Sequence, residues 1–251
     1  MRNIKITNIV EQSQNHLKKI LDPKEHIDKI IANSFKVLEA VYKEQFEPKS
    51  DIAGTPHLEH VGSRLIFPKY SKTYRNAEIR LSEQELRFIF VEQFNEYCRE
   101  NELHWYYSVE TPTENRYLFK EQKKPKRDEG GRSGEFDLTI HDECFKRIAL
   151  IEFKALNHNE SCFTKDFLKL REEGTEILTY FIMYIKSYDS KTKNNLYDKI
   201  FKATDDDKIN YKDTNTHLHC FALKPPKGKS NTVDIEKLHH EYNQNSNNSK
   251  K

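Results

Sequence analysis

The chain has 251 residues, 35% hydrophobic and 33% charged, with a formal net charge of +2, so it has room for one substantial domain with additions or for two small ones and excludes a globally cationic surface; any affinity for a polyanion must come from local clusters. Cys98, Cys144, Cys162 and Cys220 stand singly, without the short paired spacing of a disulfide framework, which points to reduced thiols and a cytoplasmic setting. The first ten residues lack the apolar core of a secretory signal, and the best apolar run, Ile177 to Ile185, is too short to cross a bilayer, so no membrane role is expected.

From Asp22 to Phe46, apolar residues Ile27, Ile30, Ile31, Phe35, Leu38, Val41 and Tyr42 recur at three and four residue steps behind Pro23, predicting an amphipathic helix. Its apolar stripe packs on the main domain or, alternatively, meets a homodimer or protein partner. Pro48, Gly54, Pro56, Gly62 and Pro68 then mark a loop region with one short strand at Ser63 to Phe67. His57 and His60 lie in it without a cluster of further ligands, which argues against a metal site there.

Ser82 to Glu100 predicts a second helix, with Ser82 as N-cap and Glu85 completing a capping box. At about 100° per residue, Leu86, Ile89, Phe90, Phe94 and Tyr97 share one face, and Glu83 falls in the middle of it. Glu85, Glu92 and Glu96 fall opposite. A carboxylate on a core-facing stripe is either a first-turn partner of the helix dipole or a functional group. Leu103 to Thr111 and Asn115 to Phe119 read as two strand segments around a turn at Thr111-Pro112. A basic, glycine-interrupted loop follows, carrying Lys120, Lys123, Lys124, Lys126, Arg127 and Arg132. These are candidates for phosphate-backbone contact, or a merely solvated charge run.

Gly134 to Ala155 carries the chemistry. Two apolar runs, with Asp137 in the first and Glu152 and Lys154 in the second, are separated by a hairpin-like polar interval. Period-2 alternation places Glu152 and Lys154 on one face, with Ile151 and Phe153 on the other. Two carboxylates and an ammonium converging on paired strands suit a divalent cation beside a phosphodiester, while a plain ion pair at a sheet end is the structural alternative. Beyond lie a helix from Phe163 to Glu173 with Lys165, Asp166, Lys169 and Arg171 facing out and Gly174 ending it, a buried strand at Ile177 to Ile185, a short helix at Asn194 to Ala203, and a strand at Thr216 to Leu223. His217 and His219 share a face of that last strand, with no obvious third ligand. From Pro225 the chain turns polar, with Ile235 and Leu238 the apolar exceptions.

This order of elements, with Asp137 followed by Glu152-Phe153-Lys154, resembles the PD-(D/E)XK nuclease superfamily over roughly Arg80 to Tyr188; the proline of the motif's name is replaced by Phe136. The resemblance implies an α/β (α+β mixed) fold: a central mixed sheet flanked by helices in an αβββαβ core. Residues 1–79 would be an N-terminal helical and loop extension, 80–224 the nuclease-like domain, and 225–251 a flexible tail. It further implies a Mg²⁺-dependent nuclease, with Mn²⁺ substituting, that hydrolyses nucleic acid, DNA before RNA, in settings such as restriction, antiviral defence or mobile elements. Asp137, Glu152 and the Phe153 backbone carbonyl would hold the metal; Lys154 would be catalytic, and Glu83, with Glu85 as its rival, would complete the site. Lys123, Lys124, Lys126, Arg127 and Arg132 would contact nucleic acid. The competing expectation is a nuclease-fold scaffold or nucleic-acid-binding subunit without catalysis.

Overall fold

The computed structural model describes residues 22–46, 63–68, 80–118, 126–127, 129–155, 160–174, 176–189, 192, 195–196, 216–225 and 231–233. Helices α1 (Pro23–Phe46), α2 (Glu83–Glu100) and α3 (Glu160–Glu173) flank a mixed sheet. Its strands are β1 (Tyr106–Leu118), β2 (Lys126–Arg127), β3 (Arg132–His141), β4 (Arg147–Ala155), β5 (Leu178–Ser187), β6 (Thr216–Lys224) and β7 (Thr232–Val233), in spatial order β2-β1-β3-β4-β5-β6-β7. The first strands pair antiparallel, β4–β5 and β5–β6 parallel, and α3 makes the crossover from β4 to β5. Setting aside the two-residue β2, the run from α2 to β5 follows the αβββαβ order that the sequence predicts.

Two apolar layers cover the two sheet faces. On one, α1 and α2 pack against Ala149, Ile151 and Phe153 of β4 and Tyr180, Ile182 and Tyr184 of β5; on the other, Phe163, Phe167 and Leu170 of α3 pack against Leu150, Phe181 and Met183. β4 and β5 are therefore buried on both faces, as parallel-paired strands under helices are. All seven apolar positions predicted for α1 are buried, and Phe35 stacks on Phe221 of β6 with ring centroids 4.9 Å apart. The stripe offered to a homodimer or protein partner thus lies inside the chain's own core.

The α2 capping box forms, with a difference in where Glu85 lies. The Ser82 N–H and Oγ donate to Glu85 Oε2 at 2.8 and 2.7 Å, and the Tyr184 hydroxyl donates to the same oxygen at 2.9 Å. Glu85 is consequently buried at the sheet rather than on the outer side, because the cap turns its carboxylate back toward β5. That structural duty separates it from Glu83.

Four further expectations change. The two segments around Thr111-Pro112 are one strand, irregular between Pro112 and Arg116, where Glu173 of α3 accepts from the Glu114 and Asn115 N–H groups, Asn115 Nδ2 and Tyr117 Oη. A carboxylate thereby satisfies backbone donors that a regular ladder would have paired. Residues 63–68 form no strand; the Gln45 side chain donates to Phe67 O at 2.7 Å and accepts from Phe67 N at 2.8 Å in place of a neighbour. The basic stretch is not wholly loop, since Lys126 and Arg127 form β2 against Leu118 and Tyr117, and Arg132 opens β3. The polar tail includes β7, whose Val233 is buried against β6, so chain order extends past 224. Of the short helix expected at Asn194 to Ala203, residues 195 and 196 are helical, as is 192; the rest lies outside the described residues, as do His57, His60, Lys123, Lys124, Ile235 and Leu238. No described helix is long and apolar enough to cross a membrane.

Candidate active site

β3 and β4 pair from His141 and Arg147 up to Leu138 and Ile151, and the register stops there, one residue short of Asp137 and Glu152. Face alternation is also broken at this point: Leu138 belongs to the layer under α1 and α2, whereas Phe136 belongs to the layer under α3. Asp137 stands at the break. Its Oδ2 accepts from the Phe153 N–H at 2.8 Å, so a side chain takes the backbone donor that the strand partner leaves. The two strands form a fork with Asp137 on one prong and Glu152 and Lys154 on the other.

Glu152 and Lys154 continue the α3-facing side of β4, as period-2 alternation requires, and both are buried. From across that layer α3 contributes two residues, Asp166 and Lys169, that the sequence predicts to face out. Asp166 Oδ2 lies 2.9 Å from Lys154 Nζ, its Oδ1 lies 3.3 Å from Lys169 Nζ, and Lys169 pairs with Glu152 Oε1 and donates to the Glu135 carbonyl. Lys169 is only 4% exposed, which corrects its assignment to the solvent face. Turning α3 at about 100° per residue places Asp166 about 60° from Phe163, on the shoulder of the apolar stripe, and that was the available hint. From α2, Glu83 Oε2 reaches to 3.5 Å from Lys154 Nζ, and Arg87 Nη2 lies 2.8 Å from Asp137 Oδ1. Glu83 and Arg87 are one helical turn apart, on the same side of α2.

The structure therefore brings together Asp137, Glu152, Lys154 and Glu83, and adds Arg87, Asp166 and Lys169. Burial would lower the Lys154 pKa, but the carboxylates of Asp166, Glu152, Asp137 and Glu83 outweigh it and push the ammonium above the ordinary lysine range. Burial likewise opposes Asp166, yet Lys154 and Lys169 hold its carboxyl below the usual value. Glu152 is pushed well up, first by burial and then by Asp166, with Lys169 and Lys154 only partly compensating. Glu152 Oε1 is buried without a hydrogen-bond donor; the Lys169 ammonium stands against it as an ion pair outside hydrogen-bond geometry.

Among the described residues, four carboxylates face three cationic side chains here, one more acid than cations. Hard oxygen donors, one of them buried and lacking a donor, fit a divalent cation such as Mg²⁺ in chemical type. Among the described residues no three His, Cys, Asp or Glu side chains are already arranged as a ligand set, because each acid here lies against a cation.

Of the nucleic-acid candidates, Lys126 and Arg127 sit at the sheet edge in β2 and Arg132 is exposed at the start of β3, roughly 17 Å along the strand from Asp137 at about 3.3 Å per residue. His217 and His219 lie apart, against Tyr180, with His219 Nε2 3.5 Å from Asp28 Oδ1 of α1. The acid that the sequence could not supply is thus present, but it packs α1 onto β6. The chain matches no family model, no curated protein and no solved structure.

Proposed function

We propose that the chain is a divalent-cation-dependent nuclease of the PD-(D/E)XK kind, acting on phosphodiester bonds of nucleic acid and on DNA before RNA. The observation that carries the reading is the fork itself: pairing of β3 and β4 ends at the residues bearing Asp137 and Glu152, and Lys154 projects from the same side as Glu152. Ordinary sheet stabilisation gives no reason to bury Glu152 and Lys154 and half-bury Asp137 where the ladder opens.

Asp137, Glu152 and the Phe153 carbonyl would hold Mg²⁺ or Mn²⁺, with Glu83 near enough to Lys154 to complete the acidic rim. A cation held there supplies a polarised phosphodiester and a bound water of lowered pKa. Lys154 stays an ammonium at neutral pH, since four carboxylates hold its proton, so its part is to neutralise charge building on the phosphate rather than to abstract a proton. Lys169 anchors Glu152 and, through the Glu135 carbonyl, ties α3 to β3 two residues before Asp137. Lys126, Arg127 and Arg132, with Lys123 and Lys124, would follow the sugar-phosphate backbone away from the cut.

A second reading keeps the architecture without hydrolysis, and the Arg87–Asp137 ion pair favours it, because an aspartate neutralised by arginine resembles a structural bridge. Incubation with single-stranded DNA, duplex DNA and RNA in Mg²⁺, Mn²⁺ or chelator separates the two. Cleavage that chelator stops and Glu152→Gln removes is expected; intact substrates under every condition would sink the nuclease in favour of the scaffold.

A further inference from the structure

The guanidinium of Arg87 enters the fork from α2 with its charge balanced by Asp137 alone among the described ion pairs. Its Nη2 lies 2.8 Å from Asp137 Oδ1, whereas its Nε is buried and receives no acceptor. Those two nitrogens lie along one edge of the planar group, the edge that grips two oxygens of a carboxylate or a phosphate at once. Asp137 uses half of it, because its other oxygen is committed to the Phe153 N–H. A buried arginine donor left open beside a carboxylate is an unfilled valence in the fork, and the missing partner is an oxygen acceptor. Its position beside Asp137 also makes Arg87 a direct competitor of any cation bound to Oδ1.

We propose that Arg87 is an exchangeable partner of Asp137: it neutralises Oδ1 while no divalent cation is bound, and grips the non-bridging oxygens of the scissile phosphate once Asp137 turns to the cation. The inference rests on the nuclease reading and assigns the phosphate-binding group of that site. Charge accounting among the described residues supports the exchange: with all four acids ionised, the state in which they can ligate, one acid is in excess, so an entering divalent cation leaves one positive charge, which a single phosphodiester cancels. Arginine cannot lose its proton to relieve the crowding, so it must change partner instead. Phe153 N–H fixes Oδ2 during the exchange, limiting the movement to rotation of one oxygen and one guanidinium edge.

The two roles pull in opposite directions when Arg87 is replaced, which makes the test specific. Mn²⁺ binding to the protein alone is followed by electron paramagnetic resonance, and single-turnover cleavage is measured at saturating Mg²⁺ on a DNA that the wild type cuts. Arg87→Met is expected to bind Mn²⁺ more tightly, by about threefold or more, for want of a competitor, and to cleave about 100-fold more slowly, for want of the phosphate clamp. Arg87→Lys, which keeps the charge and loses the fork, is expected to bind Mn²⁺ like the wild type and still to cleave slowly; it also serves if Arg87→Met does not fold by circular dichroism. Weaker Mn²⁺ binding together with slower cleavage would overturn the exchange, showing that Arg87 merely positions Asp137. Full cleavage by either variant would overturn the phosphate role. A wild-type protein that binds no Mn²⁺ and cuts nothing would overturn the nuclease reading, and this inference with it.

Discussion

Replacing Lys154 by methionine removes the ammonium that faces three carboxylates, Asp166 at 2.9 Å, Glu83 at 3.5 Å and Glu152 at 4.0 Å, and keeps the chain length that fills the space. At an effective dielectric constant of about 20, each such pair is worth about 4–6 kcal/mol of gross attraction, most of it offset by desolvation of the ions. What survives is the penalty of breaking a buried pair and leaving Glu152 and Asp166 to share the Lys169 ammonium, about 3–5 kcal/mol. For a chain of this size that corresponds to a fall of about 6–20 °C in Tm. Thermal unfolding at neutral pH, followed by circular dichroism with a refolding check, measures it. The loss should shrink in Lys154→Met/Asp166→Asn, because the second change removes the acid closest to the vacated position. A Tm within about 2 °C of the wild type would refute the closed, charge-coupled cluster. It also follows that loss of cleavage in a Lys154 variant is interpretable only at temperatures where the variant is folded.

Asp28 offers a pH test away from the fork. Burial would raise its pKa, but the close approach of His219 and the hydrogen bond from Lys24 bring it down to about 2, so the carboxylate contributes stability that is present above the unfolded value near 4 and is lost as pH falls toward 2. Asp28→Asn should cost about 1–2 kcal/mol at pH 7 after allowance for its partial exposure, and the gap from wild type should close in acid unfolding curves below about pH 2; a gap constant with pH would contradict the pairing. Burial pushes the Cys98 thiol up to about 11 and Cys220 higher still, while Cys144 is exposed. Iodoacetamide at pH 8 with peptide mass mapping should therefore label Cys144 well before Cys98 or Cys220, and early labelling of Cys98 would show that α2 is not packed as described. At Gly131 a Cβ would overlap the Tyr117 backbone, so Gly131→Ala should destabilise by about 1–3 kcal/mol, and an unchanged denaturant midpoint would refute that close approach.

The parts of the site that could be read from sequence are those where a charge interrupts an apolar pattern. Glu152 and Lys154 alternate with Ile151 and Phe153 in a strand buried on both faces, so their burial follows from periodicity alone, and Glu83 interrupts the apolar stripe of α2, which places it, half-buried, on the side facing Lys154. Arg87, Asp166 and Lys169 were not legible in this way. Each lies on a helix flank where the same residue types are ordinarily solvated, and only the opposing carboxylate or ammonium, supplied by a distant segment, makes burial favourable. Glu85 shows the converse: its capping role was visible at three-residue spacing, but its burial depends on Tyr184, ninety-nine residues away. The irregularity of β1 was masked for the same reason, since Pro112 suggested a turn and the clamp that keeps the strand continuous comes from Glu173.

The most direct measurement is Mg²⁺-dependent cleavage of circular DNA by the wild type and by Asp137→Asn, which keeps the size of the side chain and the acceptor for the Phe153 N–H while removing the charge. Linear product from the wild type that chelator prevents, with the variant folded and slower by about 100-fold or more, is the expected result. Equal cleavage by the two proteins would contradict the assignment of the fork as the catalytic centre.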